Sequence, residues 1–145
     1  MPIDIELLQG GLGLHLVCRG VLTGEDLIGV MQRLLVVPEQ MRRARYALFD
    51  TAAADRINIS QADLETAADL DKRLAAMTAA RAVIAIAAPR DLGFGLARMW
   101  EVFAEETGWE TMTFRSRADA ESWVRQKVKE NFGIDLAGAG ETAPK

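Results

Sequence analysis

Ala82-Val83-Ile84-Ala85-Ile86-Ala87-Ala88 is apolar without a break, β-branched at Val83, Ile84 and Ile86, and closed by Pro89, Arg90 and Asp91. Continuous rather than alternating apolarity marks a strand covered on both faces, as in a parallel sheet with helices on either side. The stretch therefore predicts a central strand. No apolar run in the chain approaches the roughly 18 to 20 residues that cross a bilayer, so no membrane span is expected.

Working outward toward the carboxyl end, a helix is predicted from about Leu92 to Thr107, closed by Gly108, with Leu92, Leu96, Trp100 and Phe103 on one stripe and Met99 beside it. Trp109 to Phe114 reads as a short strand. Ser116 and Asp119 form a capping pair for a last helix carrying Ala120, Trp123, Val124 and Val128 to Gly133. Residues 134–145 give no core signal, which leaves 1–133 as a single domain and the rest as a tail.

Toward the amino end, Ser60 and Asp63 cap an alanine-rich helix through Leu64, Ala67, Leu70, Leu74 and Met77. A long link, Thr51 to Ile59, separates it from a short apolar strand, Tyr46 to Phe49, that ends at Asp50. Before that strand come Pro38 and the basic residues Arg42, Arg43 and Arg45, and before them a helix capped by Thr23 and Asp26 with Leu27, Val30, Met31 and Leu34 at helical spacing. The chain opens on alternation: Ile3, Ile5 and Leu7, then, after Gly10-Gly11, Leu12, Leu14, Leu16 and Cys18. A hairpin turning at Gly10-Gly11 pairs Leu7 with Leu14, Ile5 with Leu16 and Ile3 with Cys18, with Glu6 opposite His15 on the more polar face.

Hairpin, helix, then strand and helix three times over calls for right-handed crossovers onto a mostly parallel sheet. The expected fold class is α/β: a single mixed, largely parallel five-stranded sheet with an amino-terminal β-hairpin and about four helices. The chain has 145 residues, half of them hydrophobic, enough for one core. Its net charge of −4 and pI near 5.1 offer no global positive field for a nucleic acid. Cys18 is the only cysteine, which excludes an intrachain disulfide and suits a reducing compartment. Asp4 and Glu6 stand where a secretory leader would be basic and apolar, so a cytoplasmic location is expected.

Nucleophilic catalysis would depend on His15, the one histidine, and the hairpin parity turns it away from Cys18. No catalytic residue is assigned. The carboxylate pairs Glu25-Asp26, Asp69-Asp71 and Glu105-Glu106 sit on amphipathic helices and read as solvated faces. No metal and no cofactor is expected, since no loop has the spacing of an oxygen-ligand site. Gly93-Phe94-Gly95, where a helix begins, is too short for a dinucleotide fingerprint. Arg42, Arg43 and Arg45 read as a solvated loop, and Trp100, Trp109 and Trp123 as core and domain-edge packing.

This order of elements, with the phrases Gly20-Val21-Leu22-Thr23-Gly24-Glu25-Asp26-Leu27, Tyr46-Ala47-Leu48-Phe49-Asp50 and Gly95-Leu96-Ala97-Arg98-Met99-Trp100-Glu101, resembles the SpoIIAA-like branch of the STAS superfamily over roughly Ile3 to Phe132. The resemblance implies a small non-enzymatic regulatory or protein-interaction module, or a binding protein for a small lipophilic molecule. Relatives include anti-anti-sigma proteins, transporter regulatory domains and, more remotely, SEC14-type lipid carriers. A protein partner, a small lipophilic ligand and a homodimer are the partners it allows. In the anti-anti-sigma relatives an aspartate precedes a phosphorylated serine or threonine and a glycine. Asp50-Thr51 matches the first two places, but Ala52, Ala53 and Ala54 follow, so Thr51 is not expected to be modified.

In open α/β sheets ligands sit beyond the carboxyl ends of parallel strands, where loops diverge and helix amino termini point into the gap. The two ends here are Asp50-Thr51 and Pro89 to Gly95. Asp50, Thr51, Gly93, Phe94, Gly95 and Arg98 are accordingly expected to border one concave ligand or partner surface.

Overall fold

The computed structural model describes residues 2–136. Its strands are β1 (Ile3–Leu8), β2 (Gly13–Thr23), β3 (Tyr46–Asn58), β4 (Val83–Ala87) and β5 (Glu110–Phe114). Its helices are α1 (Gly24–Leu35), α2 (Pro38–Arg43), α3 (Gln61–Ala75), α4 (Asp91–Phe103) and α5 (Arg117–Phe132). The strands form one sheet in the order β1-β2-β3-β4-β5, antiparallel between β1 and β2 and parallel elsewhere. β4 is thus fourth of five and not central, although it is paired on both edges and covered on both faces. The central place belongs to β3.

The hairpin register is the one alternation predicts: Ile3 pairs Cys18, Ile5 pairs Leu16, Glu6 pairs His15 and Leu7 pairs Leu14. The turn itself is wider than two residues. Gln9, Gly10 and Gly11 form a 3₁₀ turn with φ of 51°, 70° and 98°, a left-handed run that glycine accommodates most easily. As the edge strand, β1 is only half covered: Ile3 is buried, Ile5 partly so, and Leu7 is exposed.

Thr23 and Ser60 each form a full capping box with Asp26 and Asp63, and Ser116 accepts a hydrogen bond from the Asp119 N–H, so three of the four helices that follow a strand begin where the side chains require. The sequence reading counts about four helices; the fifth is α2, a turn and a half with Pro38 at its start. Arg43 and Gln40 reach from it to the carbonyls of Gly10 and Gly11, while Arg42 pairs with Glu39 and Arg45 lies over the Phe132 ring. Arg43, with Gln40, therefore fastens α2 to the hairpin turn.

The larger departure is in β2 and β3. Both run past Gly20 and Asp50, where the pattern suggests that they stop, and pair with each other as far as Thr23 and Asn58. Two bulges give β3 an extra residue opposite Val17–Arg19 and another opposite Gly20–Val21, which returns Ala54 and Ile57 to the face that carries Leu22. The Arg90 guanidinium donates to the Thr51 and Ala54 carbonyls and holds this bulged arm against the start of α4.

Strand parity divides the interior in two. One face carries Leu14, Leu16, Cys18, Phe49, Ile84 and Ile86 beneath α1, α3 and α4, and the other carries Tyr46, Leu48, Val83, Ala85 and Ala87 against α5. Fully buried leucines such as Leu14, Leu22 and Leu74 each contribute about 1.5–3 kcal/mol of transfer free energy. On α4 the buried positions are Gly93, Ala97 and Trp100; of the expected stripe Trp100 is buried and Leu96 and Phe103 pack partly on the core, but Leu92 is 60 % exposed. Gly93 and Ala97 sit beside Trp100 on the face toward the sheet, while Leu92, Met99 and Val102 turn outward. Beyond α5, Ile134 and Leu136 pack on the second cluster; the remainder of the tail lies outside the described residues.

Candidate functional site

Between the sheet and α1, α3 and α4 lies a cavity of about 130 Å³. Its floor is the strand face of Leu14, Leu16, Phe49, Ile84 and Ile86, and its roof comes from Leu27 and Met31 on α1, Leu64 and Leu74 on α3, and Leu96 and Trp100 on α4. The β2–β3 arm closes one end with Leu22, Ile57 and Ile59. Met41, Thr78 and Trp109 close the other. Apart from Gly93, the lining residues are apolar or aromatic except Thr51, Asp71 and Thr78.

Each polar member is anchored. The Thr51 hydroxyl donates to the Ala87 carbonyl at 3.0 Å, and Thr78 donates to the Ala75 carbonyl while accepting from Trp109 Nε1 at 3.0 Å. Asp71 is 3 % exposed, and its Oδ2 accepts from Trp100 Nε1 at 2.8 Å. Burial pushes its carboxyl up to about 7, against the opposing pull of the Trp100 hydrogen bond. Asp71 is the residue that the sequence reading missed, because it was paired with exposed Asp69. A signal was present: Leu64, Ala67, Asp71 and Leu74 recur at i, i+3, i+7 and i+10, which puts the carboxylate on the apolar stripe.

The expected site residues divide between the two faces of the sheet. Thr51 and Gly93 both line the cavity, and a Cβ on Gly93 would come 3.0 Å from Ile57 Cδ1 and 3.9 Å from Thr51 Oγ1. Phe94 is half-buried with the Arg115 guanidinium 4.2 Å above its ring. Gly95 and Arg98 are exposed on the outer side of α4, Arg98 4.0 Å from Glu101. Asp50, one residue before Thr51, points to the α5 face.

There Asp50 joins a polar cluster. The His15 ring is 3 % exposed, with Nδ1 3.3 Å from Glu6 Oε1 and Nε2 3.9 Å from Asp50 Oδ2. That second separation exceeds hydrogen-bonding distance, and Nε2 has no hydrogen-bond partner among the described residues. His15 nearby, the Ala52 N–H at 2.9 Å and Arg117 at 3.5 Å together hold the Asp50 carboxyl below its usual range. Cys18 lies on the opposite face, fully buried, and burial pushes its thiol up to about 12, which makes it a packing residue and not a nucleophile.

Among solved structures the chain is similar to an uncharacterized protein of the DUF3478 family from Shewanella loihica PV-4, described as having a SpoIIAA-like fold. Identity is 22 %, the match covers 84 % of this chain and 91 % of that one, and the TM-score is 0.54. The fold is SpoIIAA-like. No family model matches the sequence, and no curated protein does. Thr51, which follows Asp50 at the point where β3 bulges, is buried, bonded to Ala87 and turned toward the cavity. Among the described residues no helix is long and apolar enough to cross a membrane.

Proposed function

We propose that this chain is a binding module for a small lipophilic molecule, housed between the sheet and α1, α3 and α4. The cavity carries this reading: about 130 Å³ with an almost wholly apolar lining is close to the roughly 150 Å³ that admits a benzene-sized guest in an engineered apolar core. The half-buried Ile57 and Ile59 of the β2–β3 arm, with Thr51 and Gly93 beside them, mark the way in. Organic extraction of the purified protein followed by mass spectrometry tests the proposal. A stoichiometric lipophilic compound supports it; an empty protein whose melting temperature is unmoved by millimolar toluene or p-cresol contradicts it.

A second reading, a regulatory or protein-interaction module, draws on a different observation. Leu92, Gly95, Met99 and Val102 lie along the outer face of α4, with Leu92 and Val102 60 % and 61 % exposed. An apolar stripe of this kind suits a partner surface, including a second copy of the chain. A dimer in sedimentation that Val102→Lys returns to monomer would favour it, and a wild-type monomer at high concentration would count against the homodimer.

A further inference from the structure

We infer that the cavity is built for a compact, otherwise apolar molecule carrying one hydroxyl group, which docks on Asp71. The inference rests on the lipophilic-ligand reading and supplies the ligand's polar chemistry. Asp71 occupies the apolar stripe of α3, lines the cavity, and receives one hydrogen bond among the described residues, from Trp100 to Oδ2. A carboxylate has room for about four such bonds, and leaving its capacity unfilled in apolar surroundings is costly. The other hydroxyls of the lining do not compete for this role: those of Thr51 and Thr78 already donate to the Ala87 and Ala75 carbonyls, and that of Tyr46 donates to Gln9 Oε1.

What would satisfy Asp71 follows from its surroundings. Among the described residues no cationic side chain lines the cavity, so none of them supplies the missing partner. A hydroxyl serves both protonation states of Asp71, donating to the carboxylate or accepting from the acid. That fits a carboxyl that burial raises to about 7, where both forms are populated near neutral pH. Volume limits the rest of the molecule to about one aromatic ring or a short aliphatic chain.

Titrating the full chain with p-cresol and with toluene, which differ by the hydroxyl alone, tests this by calorimetry or Trp fluorescence. p-Cresol should bind roughly tenfold tighter than toluene, the scale of a hydrogen bond to a charged group. Asp71→Leu should reverse the order, and Asp71→Asn, which keeps an acceptor for Trp100 and so protects the fold, should reduce the preference to roughly threefold or less. Equal binding of the two compounds to the wild type, or a preference that both variants retain, overturns the inference while leaving the cavity reading intact. If neither compound binds, the cavity reading fails and the inference with it.

Discussion

β4 presents different material to the helices on its two sides. Val83, Ala85 and Ala87 meet Ala120, Val124 and Val128 of α5, small against small, and the pocket on that side, also about 130 Å³, is edged by the polar Gln9, Arg117, Glu121 and Arg125. Ile84 and Ile86 face the other way beneath three helices, and there larger side chains enclose a cavity instead of filling the space. Polar groups follow the same division. Beside α5, His15, Asp50 and Arg117 gather near the surface with Glu6, whereas on the cavity side Asp71 is held by a single tryptophan. The comparison separates a face whose pocket is edged by charged side chains from a face organised around an almost wholly apolar interior space.

Adding bulk to each face gives the largest contrast. Ala85→Leu forces a side chain between β4 and α5 and should cost about 2–3 kcal/mol in urea unfolding. Ala47→Leu points into the cavity and should be neutral or stabilising by roughly 0.5–2 kcal/mol, while abolishing binding of toluene-sized probes. Equal losses would erase the distinction between the faces.

The buried carboxylates should respond to pH in opposite directions. Asp71 ionises at its ordinary 3.8 in the unfolded chain but near 7 when folded. Between those values only the folded state retains the proton, so this group's contribution to stability falls as pH rises and levels off above about 7. Asp71→Asn should therefore gain on the wild type from pH 4 to pH 7, by on the order of 3 kcal/mol, as read from unfolding curves across that range. Asp50 is depressed, so its contribution is present above 3.8 and is lost as pH falls through its lower folded value. Asp50→Asn should cost about 1 kcal/mol at neutral pH, with the deficit shrinking in acid. Parallel pH profiles for the two variants would contradict the electrostatic difference between the faces.

Gly93→Ala is the smallest perturbation. The added methyl displaces the flexible Ile57 Cδ1 by a few tenths of an ångström, and better helix propensity offsets this, so stability should stay within about 0.5 kcal/mol. Probe affinity should fall a fewfold, because the methyl narrows the space between Thr51 and Ile57. Unchanged affinity would place the way in elsewhere.

Most of the framework was legible because it rests on local patterns. Alternation set the hairpin register through Ile3, Ile5 and Leu7, and Thr23, Ser60 and Ser116 announced three helices. The second half of β3 was hidden, since two bulges break the alternation of Thr51 to Asn58 and its alanine, aspartate and arginine residues are weak strand formers. The α4 stripe misled because Gly93 and Ala97, the residues nearest the sheet, are less hydrophobic than the Leu92 they leave outside. Of the site, Thr51 and Gly93 could be named from the strand-end rule. The cavity could not, because Leu, Ile and Met have the same composition whether they fill a space or surround one.

The most direct measurement of the central claim is a methyl-resolved NMR titration of the full chain with p-cresol. Methyl signals of Leu64, Leu74, Ile84 and Ile86 should shift together and saturate at one equivalent, while those of Val83, Val124 and Val128 on the α5 face stay in place. Shifts confined to Leu92 and Val102 on the outer side of α4, or no shifts at all, would contradict the account.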